Sequence, residues 1–231
     1  MTSKDRILCL IPAKGSSTRL ARKNLISLGG RPLLGWAVEA ARESELMDRI
    51  VVSTEESEIA IVARELGAEV PFLRPSHLAR DPAGVEDVAL HALSALREQG
   101  DIYQTLIILL PTCPLRSAED IINAVNLFRE RNGQFLMSVS RYEHTPFAAM
   151  SIDDDRILRP VFPEYIGRKS QDMPVALRAN GAIHVLDVAA FEQTRSYLSQ
   201  PLIGYEMPWD RSIDIDTVND LRLAESLLRE L

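Results

Sequence analysis

Short runs of consecutive apolar residues recur along this chain, and most are followed by a stretch with helical periodicity, which restricts the fold more than any other feature. Ile107-Ile108-Leu109-Leu110 is apolar on both faces, as a parallel strand covered by helices must be. The pattern predicts strands at 6–12, 49–53, 69–73, 104–110, 135–140 and 180–186, with helices at 32–43, 55–66, 85–98, 118–130 and 217–230. Local chemistry agrees: Pro32 suits a first helical turn, Ser117 with Asp120 and Thr217 with Asp220 have capping-box spacing, and Gly67 and Gly133 follow helix ends. Repeated β-α units imply an α/β fold with a doubly wound, mostly parallel sheet and flanking helices. In such sheets ligands bind beyond the carboxyl ends of the strands.

One stretch breaks the rhythm. From 141 to 178 the chain carries Pro146, Pro160, Pro163, Pro174 and the acidic run Asp153-Asp154-Asp155, and it reads as a lobe inserted into a single domain spanning 1–231. Such an excursion serves as a lid, as an arm toward a partner subunit, or as a surface meander. Phe135, Phe147, Phe162, Tyr165 and Ile166 are candidate apolar anchors for a second copy, unless they fold back on their own domain.

The first strand runs directly into Pro12-Ala13-Lys14-Gly15-Ser16-Ser17-Thr18-Arg19-Leu20-Ala21-Arg22-Lys23-Asn24. Small side chains there let backbone N–H groups approach phosphate oxygens, while Lys14, Arg19, Arg22 and Lys23 supply positive charge. This loop is the expected site for a nucleoside triphosphate. Elsewhere the chain is acidic, with a formal net charge of −7 over 231 residues, which argues against nucleic acid as a partner.

Composition closes off other classes. With 46% hydrophobic residues the chain can bury a full core, and it shows neither a membrane-length apolar run nor a signal-like start, so a cytoplasmic location is expected. Cys9 and Cys113 lack ligand-like spacing and read as small buried side chains. His77, His91, His144 and His184 lie in no motif that demands catalysis.

Near the C-terminus, Ser212-Ile213-Asp214-Ile215-Asp216-Thr217 precedes the last helix. If extended, it presents Asp214 and Asp216 on one face, an arrangement that suits a hard divalent cation such as Mg²⁺ or Mn²⁺. The alternative is that Asp216 only favours a helix N-terminus and Asp214 is solvated.

Together these segments resemble the acylneuraminate cytidylyltransferases, which activate nonulosonic acid sugars as CMP derivatives. The resemblance runs nearly end to end. It rests on Ile11 to Gly15, Arg22-Lys23-Asn24, Leu28 to Leu33, Val52-Ser53-Thr54, Phe72-Leu73-Arg74-Pro75 with Leu78-Ala79 and Asp81, Pro111 to Arg116, Ser170-Gln171-Asp172, Asn180-Gly181-Ala182 and Ser212 to Thr217. It implies a Rossmann-like nucleotidyltransferase in which Ala13, Gly15, Ser17, Arg19, Arg22, Asn24 and Arg74 hold CTP, with Lys14 and Lys23 on the phosphates. Asp214 and Asp216 would carry the metal. Thr112, Gln171, Asn180 and Gly181 would line the sugar side, and Arg168 or Lys169 would meet the sugar carboxylate. A homodimer is implied, its inserted lobe covering the partner's site.

Some positions depart from the family pattern. Lys14 stands where Arg is usual, Thr18 where Lys is frequent, Val85 near a usual Ser, and Leu110 where many members have a Gln that touches the sugar. A leucine neither donates nor accepts, so a 9-deoxy sugar of the legionaminic or pseudaminic type competes with N-acetylneuraminate as the expected acceptor. Ser17 to Leu20 also resembles the first loop of Kdo cytidylyltransferases, although Asn180 to Ala182 and the two-aspartate segment favour the acylneuraminate side. The departures at Lys14, Val85 and Leu110 also motivate a third reading, a nucleotide binder without catalysis.

Overall fold

The computed structural model describes residues 5–17 and 19–230; Thr18, one of the departures above, lies outside them. Six strands form the central sheet: β1 (Ile7–Pro12), β4 (Arg49–Ser53), β5 (Thr105–Ile108), β6 (Phe135–Arg141), β9 (Leu177–Asp187) and β10 (Leu202–Glu206), after a small hairpin of β2 (Ser27–Leu28) and β3 (Arg31–Pro32). Their spatial order is β10-β6-β9-β5-β1-β4. β1 is parallel to β4 and β5, and β10 to β6, whereas β9 runs antiparallel to both neighbours. The sheet is therefore mostly parallel, as the β-α alternation predicts, with one reversed strand in its middle.

Helices cover both faces. Along β1, Leu8 and Leu10 join one buried cluster and Cys9 and Ile11 the other, the period-2 alternation of a strand buried on both sides. α1 (Leu33–Glu43), α2 (Ser57–Glu65) and α4 (Ala118–Glu130) contribute Leu34, Ile59 and Ile121 to the first. α3 (Val85–Glu98) and α5 (Val188–Thr194) contribute Leu93 and Phe191 to the second. α6 (Val218–Leu228) packs Ala224 on a third cluster with Leu28, Leu33, Leu115, Ile213 and Ile215.

The capping boxes at Ser117/Asp120 and Thr217/Asp220 both form. Other expectations need correction. Pro32 is not in the first turn of α1 but one place earlier, extended at its cap. The 69–73 run makes only a bridge between Glu69 and Val51, because Pro71 has no N–H to continue a ladder. β10 and α5 escape the periodicity reading because one is a short edge strand interrupted by Gly204 and the other has seven residues. Phe135 is no lobe anchor: it lies in β6, 1% exposed, inside the sheet core.

Between β6 and β9 the chain leaves the sheet. It forms a hairpin of β7 (Met150–Ile152) and β8 (Leu158–Pro160) and several single helical turns, and no residue from 141 to 179 is buried. Phe147 packs against Phe162 and Tyr165 at ring separations of 5.4 and 4.6 Å, so these three cluster within the arm. Ile152, Leu158, Ile166 and Val175 stay exposed.

Candidate active site

The front loop leaves β1 at the carboxyl edge of the sheet, where it is folded by its own polar groups. Asn24, nearly buried, donates its side-chain amide to the Lys14 carbonyl at 2.8 Å, closing the loop on itself. Ser16 Oγ donates to the Ala79 carbonyl at 3.2 Å, tying the loop to the turn that follows Arg74. Lys14, Ser17, Arg19 and Lys23 then face a cavity of about 400 Å³.

The C-terminal segment forms the facing wall. Residues 212–217 make no strand, which corrects the extended-strand expectation, yet their alternation holds: Ile213 and Ile215 are buried under α6 while Asp214 and Asp216 line the cavity. The Ile215 N–H donates to the Thr112 carbonyl at 2.8 Å, fixing the segment beside the loop that follows β5. Asp216 accepts Lys23 Nζ on one oxygen and Arg19 Nη1 on the other, both at 2.7 Å. Residues 193 positions apart thus meet across one cleft.

Asp214 is open to water in the cleft but crowded by protein. Burial, followed by the Asp216 charge, pushes its carboxyl above the usual carboxylate range against the opposing effects of Thr112 and Lys23. Beneath it, burial pushes the Cys113 thiol up to about 12, and Cys113 Sγ donates to the Asn180 carbonyl at 3.0 Å, so this cysteine is an inert packing group. Cys9 is equally buried, its thiol also raised to about 12 by burial.

A second cavity, of about 510 Å³, lies on the other side of Asp214. Tyr142, Glu143, His144 and Arg178 from the root of the arm, with Trp209 and Asn180, form its wall. Asn180 is almost fully engaged within the protein: its amide oxygen accepts from Ser138 Oγ and the Ala182 N–H, and its amide nitrogen donates to Ser212 Oγ at 3.1 Å. It therefore sets the segment that bears Asp214. Gly181 has φ +70, and a Cβ there would crowd Leu110 at 3.1 Å.

Ala13, Gly15, Arg22 and the arm residues fall outside these two walls. Ala13 is fully buried and donates its N–H to the Ser53 carbonyl at 2.9 Å. Gly15 gives its N–H to Glu55 rather than to the cleft. Arg22 takes a left-handed backbone and pairs with Glu58, away from the cavity. Arg168, Lys169 and Gln171 are exposed on the arm, and Arg168 lies over the Tyr165 ring. Leu110 and Val85 both line the first cavity.

Three supporting groups owe their role at the site to partners that the sequence does not place beside them. Asp120, 1% exposed, receives Arg211 Nε and Nη2 at 2.9 Å each, anchoring the turn just before Ser212. Although burial raises the Asp120 carboxyl, Arg211 and Ser117 outweigh it and hold the group low. Arg116, buried, donates to the carbonyls of Ala182 and Leu110 at 2.8 and 2.9 Å and so joins the middle of β9 to the loop that follows β5. Glu55 lies two residues beyond β4 and pairs with Arg74. Its place after a strand's carboxyl end was the available signal.

Comparison with known proteins gives a consistent result. Residues 8–153 match a family model described as Cytidylyltransferase. The chain is 32% identical over 225 residues to the CMP-N,N'-diacetyllegionaminic acid synthase of Legionella pneumophila, and 29% over 228 residues to the pseudaminic acid cytidylyltransferase of Campylobacter jejuni; both alignments cover 96% of each chain. It is 30% identical to an N-acylneuraminate cytidylyltransferase of Escherichia coli over 96% of its own length and 52% of that protein's. Among solved structures, a CMP:2-keto-3-deoxy-manno-octonic acid synthetase complexed with CTP superimposes with a TM-score of 0.71 at 15% identity, covering 98% of this chain and 100% of that one, a likeness of fold.

Proposed function

The chain belongs to the cytidylyltransferase family, and from that premise we propose that it transfers CMP from CTP to the anomeric hydroxyl of a nonulosonic acid sugar, releasing pyrophosphate. The hydroxyl oxygen forms a bond to the α-phosphorus, the bond from that phosphorus to the bridging oxygen breaks in line, and the hydroxyl proton passes to water in the cleft. The chemistry asks the protein for alignment and charge stabilisation.

The observation that carries this reading is the single cleft in which Lys14, Lys23 and Arg19 face Asp214 and Asp216. The cations suit the triphosphate. Asp214, which lines both cavities, and Thr112, in the first, suit the acceptor hydroxyl, and Asn180 lines the second cavity.

Asp214 and Asp216 fit a magnesium or manganese ion by donor type. They are two carboxylate oxygen donors on one cavity wall, Asp214 held high in pKa by burial and, less, by the Asp216 charge, and such an ion would complete its shell with phosphate oxygens and water. Such an ion would offset charge on the leaving pyrophosphate. Lys23 and Arg19 hold Asp216 in place for it.

The arm is read as the dimer element. Exposed Ile152, Leu158, Ile166 and Val175 give a second copy an apolar face, and Arg168, Lys169 and Gln171 would then reach the partner's acceptor cavity. A cytoplasmic location fits two free thiols.

Pyrophosphate release should be measured with CTP, Mg²⁺ and a panel of N-acetylneuraminate, legionaminate, pseudaminate and Kdo. Turnover with one or more nine-carbon acids is the expected result. CTP binding without turnover would favour the inactive binder, and turnover of Kdo alone would favour the eight-carbon rival.

A further inference from the structure

We infer that Glu55 is a positioning residue for the nucleotide, acting through Arg74 and the backbone of Gly15 without touching the ligand; the inference rests on the nucleotide reading of the first cavity. One Glu55 oxygen accepts the Gly15 N–H at 2.7 Å, and the other accepts Arg74 Nη2 at 2.5 Å. Both side chains are withdrawn from water, Arg74 to 2% exposure and Glu55 to 13%. A guanidinium so deeply buried requires a carboxylate, and Glu55 is its ion-pair partner among the described residues.

The position of the pair decides between two roles. A carboxylate on a loop N–H beside an arginine resembles a stand-in for phosphate, to be displaced when the triphosphate enters. Arg74, however, is part of the cavity wall, whereas Glu55 and Gly15 are not. Glu55 therefore stands behind the wall as a brace. Its neighbour reinforces this, since a Cβ on Gly15 would collide with the Glu56 side chain, so the loop is backed by two consecutive glutamates. The brace extends along the backbone as well: the Arg74 N–H donates to the Thr54 carbonyl at 2.9 Å.

The brace also leaves Arg74 incomplete. Its Nε–H is buried with no hydrogen-bond partner among the described residues, although the residue borders the cleft. A buried donor without a partner is costly, and a nucleotide oxygen or carbonyl would relieve it. Glu55 thus sets the guanidinium so that one edge is satisfied internally and another remains for the ligand. Burial pushes the Glu55 carboxyl up, but the Arg74 guanidinium and the Gly15 N–H outweigh it and hold the group below the usual carboxylate range, so the brace is charged near neutral pH.

Glu55→Gln keeps an acceptor for Gly15 but turns an N–H toward Arg74, where donor meets donor. The test is CTP binding by titration calorimetry in Mg²⁺ for the wild type, Glu55→Gln, Arg74→Gln and the double variant, with melting temperatures alongside and KM for the acceptor sugar measured separately. Glu55→Gln is expected to weaken CTP at least tenfold in the wild-type background, to add less than twofold once Arg74 is Gln, and to leave the sugar KM within twofold. An equal loss in both backgrounds, or unchanged CTP affinity, would overturn the inference. Should Glu55→Gln not fold, Glu55→Asp, which keeps the charge but falls a methylene short, is expected to weaken CTP severalfold, and wild-type affinity there would overturn it. A wild-type protein that binds no CTP would overturn the nucleotide reading and this inference with it; intact wild-type binding separates the two failures.

Discussion

The two cavities that meet at Asp214 are built in different ways. Every wall of the first is fixed from within the sheet domain: Asn24 closes the front loop on Lys14, Lys23 and Arg19 hold Asp216, Glu55 holds Arg74, and Ile215 is bonded to Thr112. The second draws Tyr142, Glu143, His144 and Arg178 from the root of an arm that buries none of its own residues. The difference teaches that nucleotide binding can be pre-organised in one chain, whereas the acceptor side depends on where the arm lies and on what covers it.

The largest effect expected from breaking this contrast is at Asp216. Asp216→Asn removes the charge that Lys23 and Arg19 share while keeping the shape, and steady-state kinetics should show kcat/KM falling about 10³-fold, the scale of losing a preorganised electrostatic group. Near-normal turnover would remove the aspartate from the chemistry. Next comes the front loop. Lys23→Met should cost about 10²-fold in kcat/KM, and Arg22→Met under about threefold, because Lys23 lines the cleft and Arg22 faces Glu58 instead. Equal losses would mean that the cleft is not the phosphate site.

The arm should separate the two cavities. Ile166→Asp places a charge in its exposed apolar face and is expected to shift light scattering toward a single copy and raise the acceptor KM about tenfold, with CTP affinity unchanged. A parallel loss of CTP affinity would contradict the division of labour. Smaller still is Leu110→Gln, which returns a hydrogen-bonding side chain to the wall and should change the ratio of kcat/KM between N-acetylneuraminate and a 9-deoxy sugar by about tenfold or less.

The smallest expected effect lies outside both cavities. His184 is buried in β9 against Tyr197, and burial lowers its pKa from 6.5 to about 4. The unfolded chain therefore takes up this proton more readily than the folded one, so stability falls as pH drops from 6.5 toward 4, at up to about 1.4 kcal/mol per pH unit. Denaturant midpoints of His184→Met across that window should be flatter by this slope, and an unchanged slope would exclude His184 as its source.

Much of the architecture was legible because burial on both faces leaves a direct mark on residue order. β1, β5 and α4 follow from unbroken apolar runs and from Ser117 and Asp120 at capping spacing. Reversal of β9 was not legible, since strand direction is set by the path of the connecting arm and not by the strand's own residues. At the site, Lys14 and Lys23 could be marked as charges in the loop after the first strand, and Asp214 and Asp216 as two carboxylates two positions apart. Glu55 carried only its place after β4 as a signal, and the site roles of Arg116, Asp120 and Arg211 carried none, because they come from partners distant in sequence: Arg211 and Asp120 lie 91 positions apart.

The most direct measurement is a crystal structure with CTP, or a non-hydrolysable analogue, in the presence of Mg²⁺. The expected density places the triphosphate along Lys14 and Lys23, with a divalent ion between its oxygens and the carboxylates of Asp214 and Asp216. A nucleotide bound elsewhere, or one in this cleft with both aspartates free of metal and phosphate, would contradict the central claim that the two ends of the chain build one catalytic cleft.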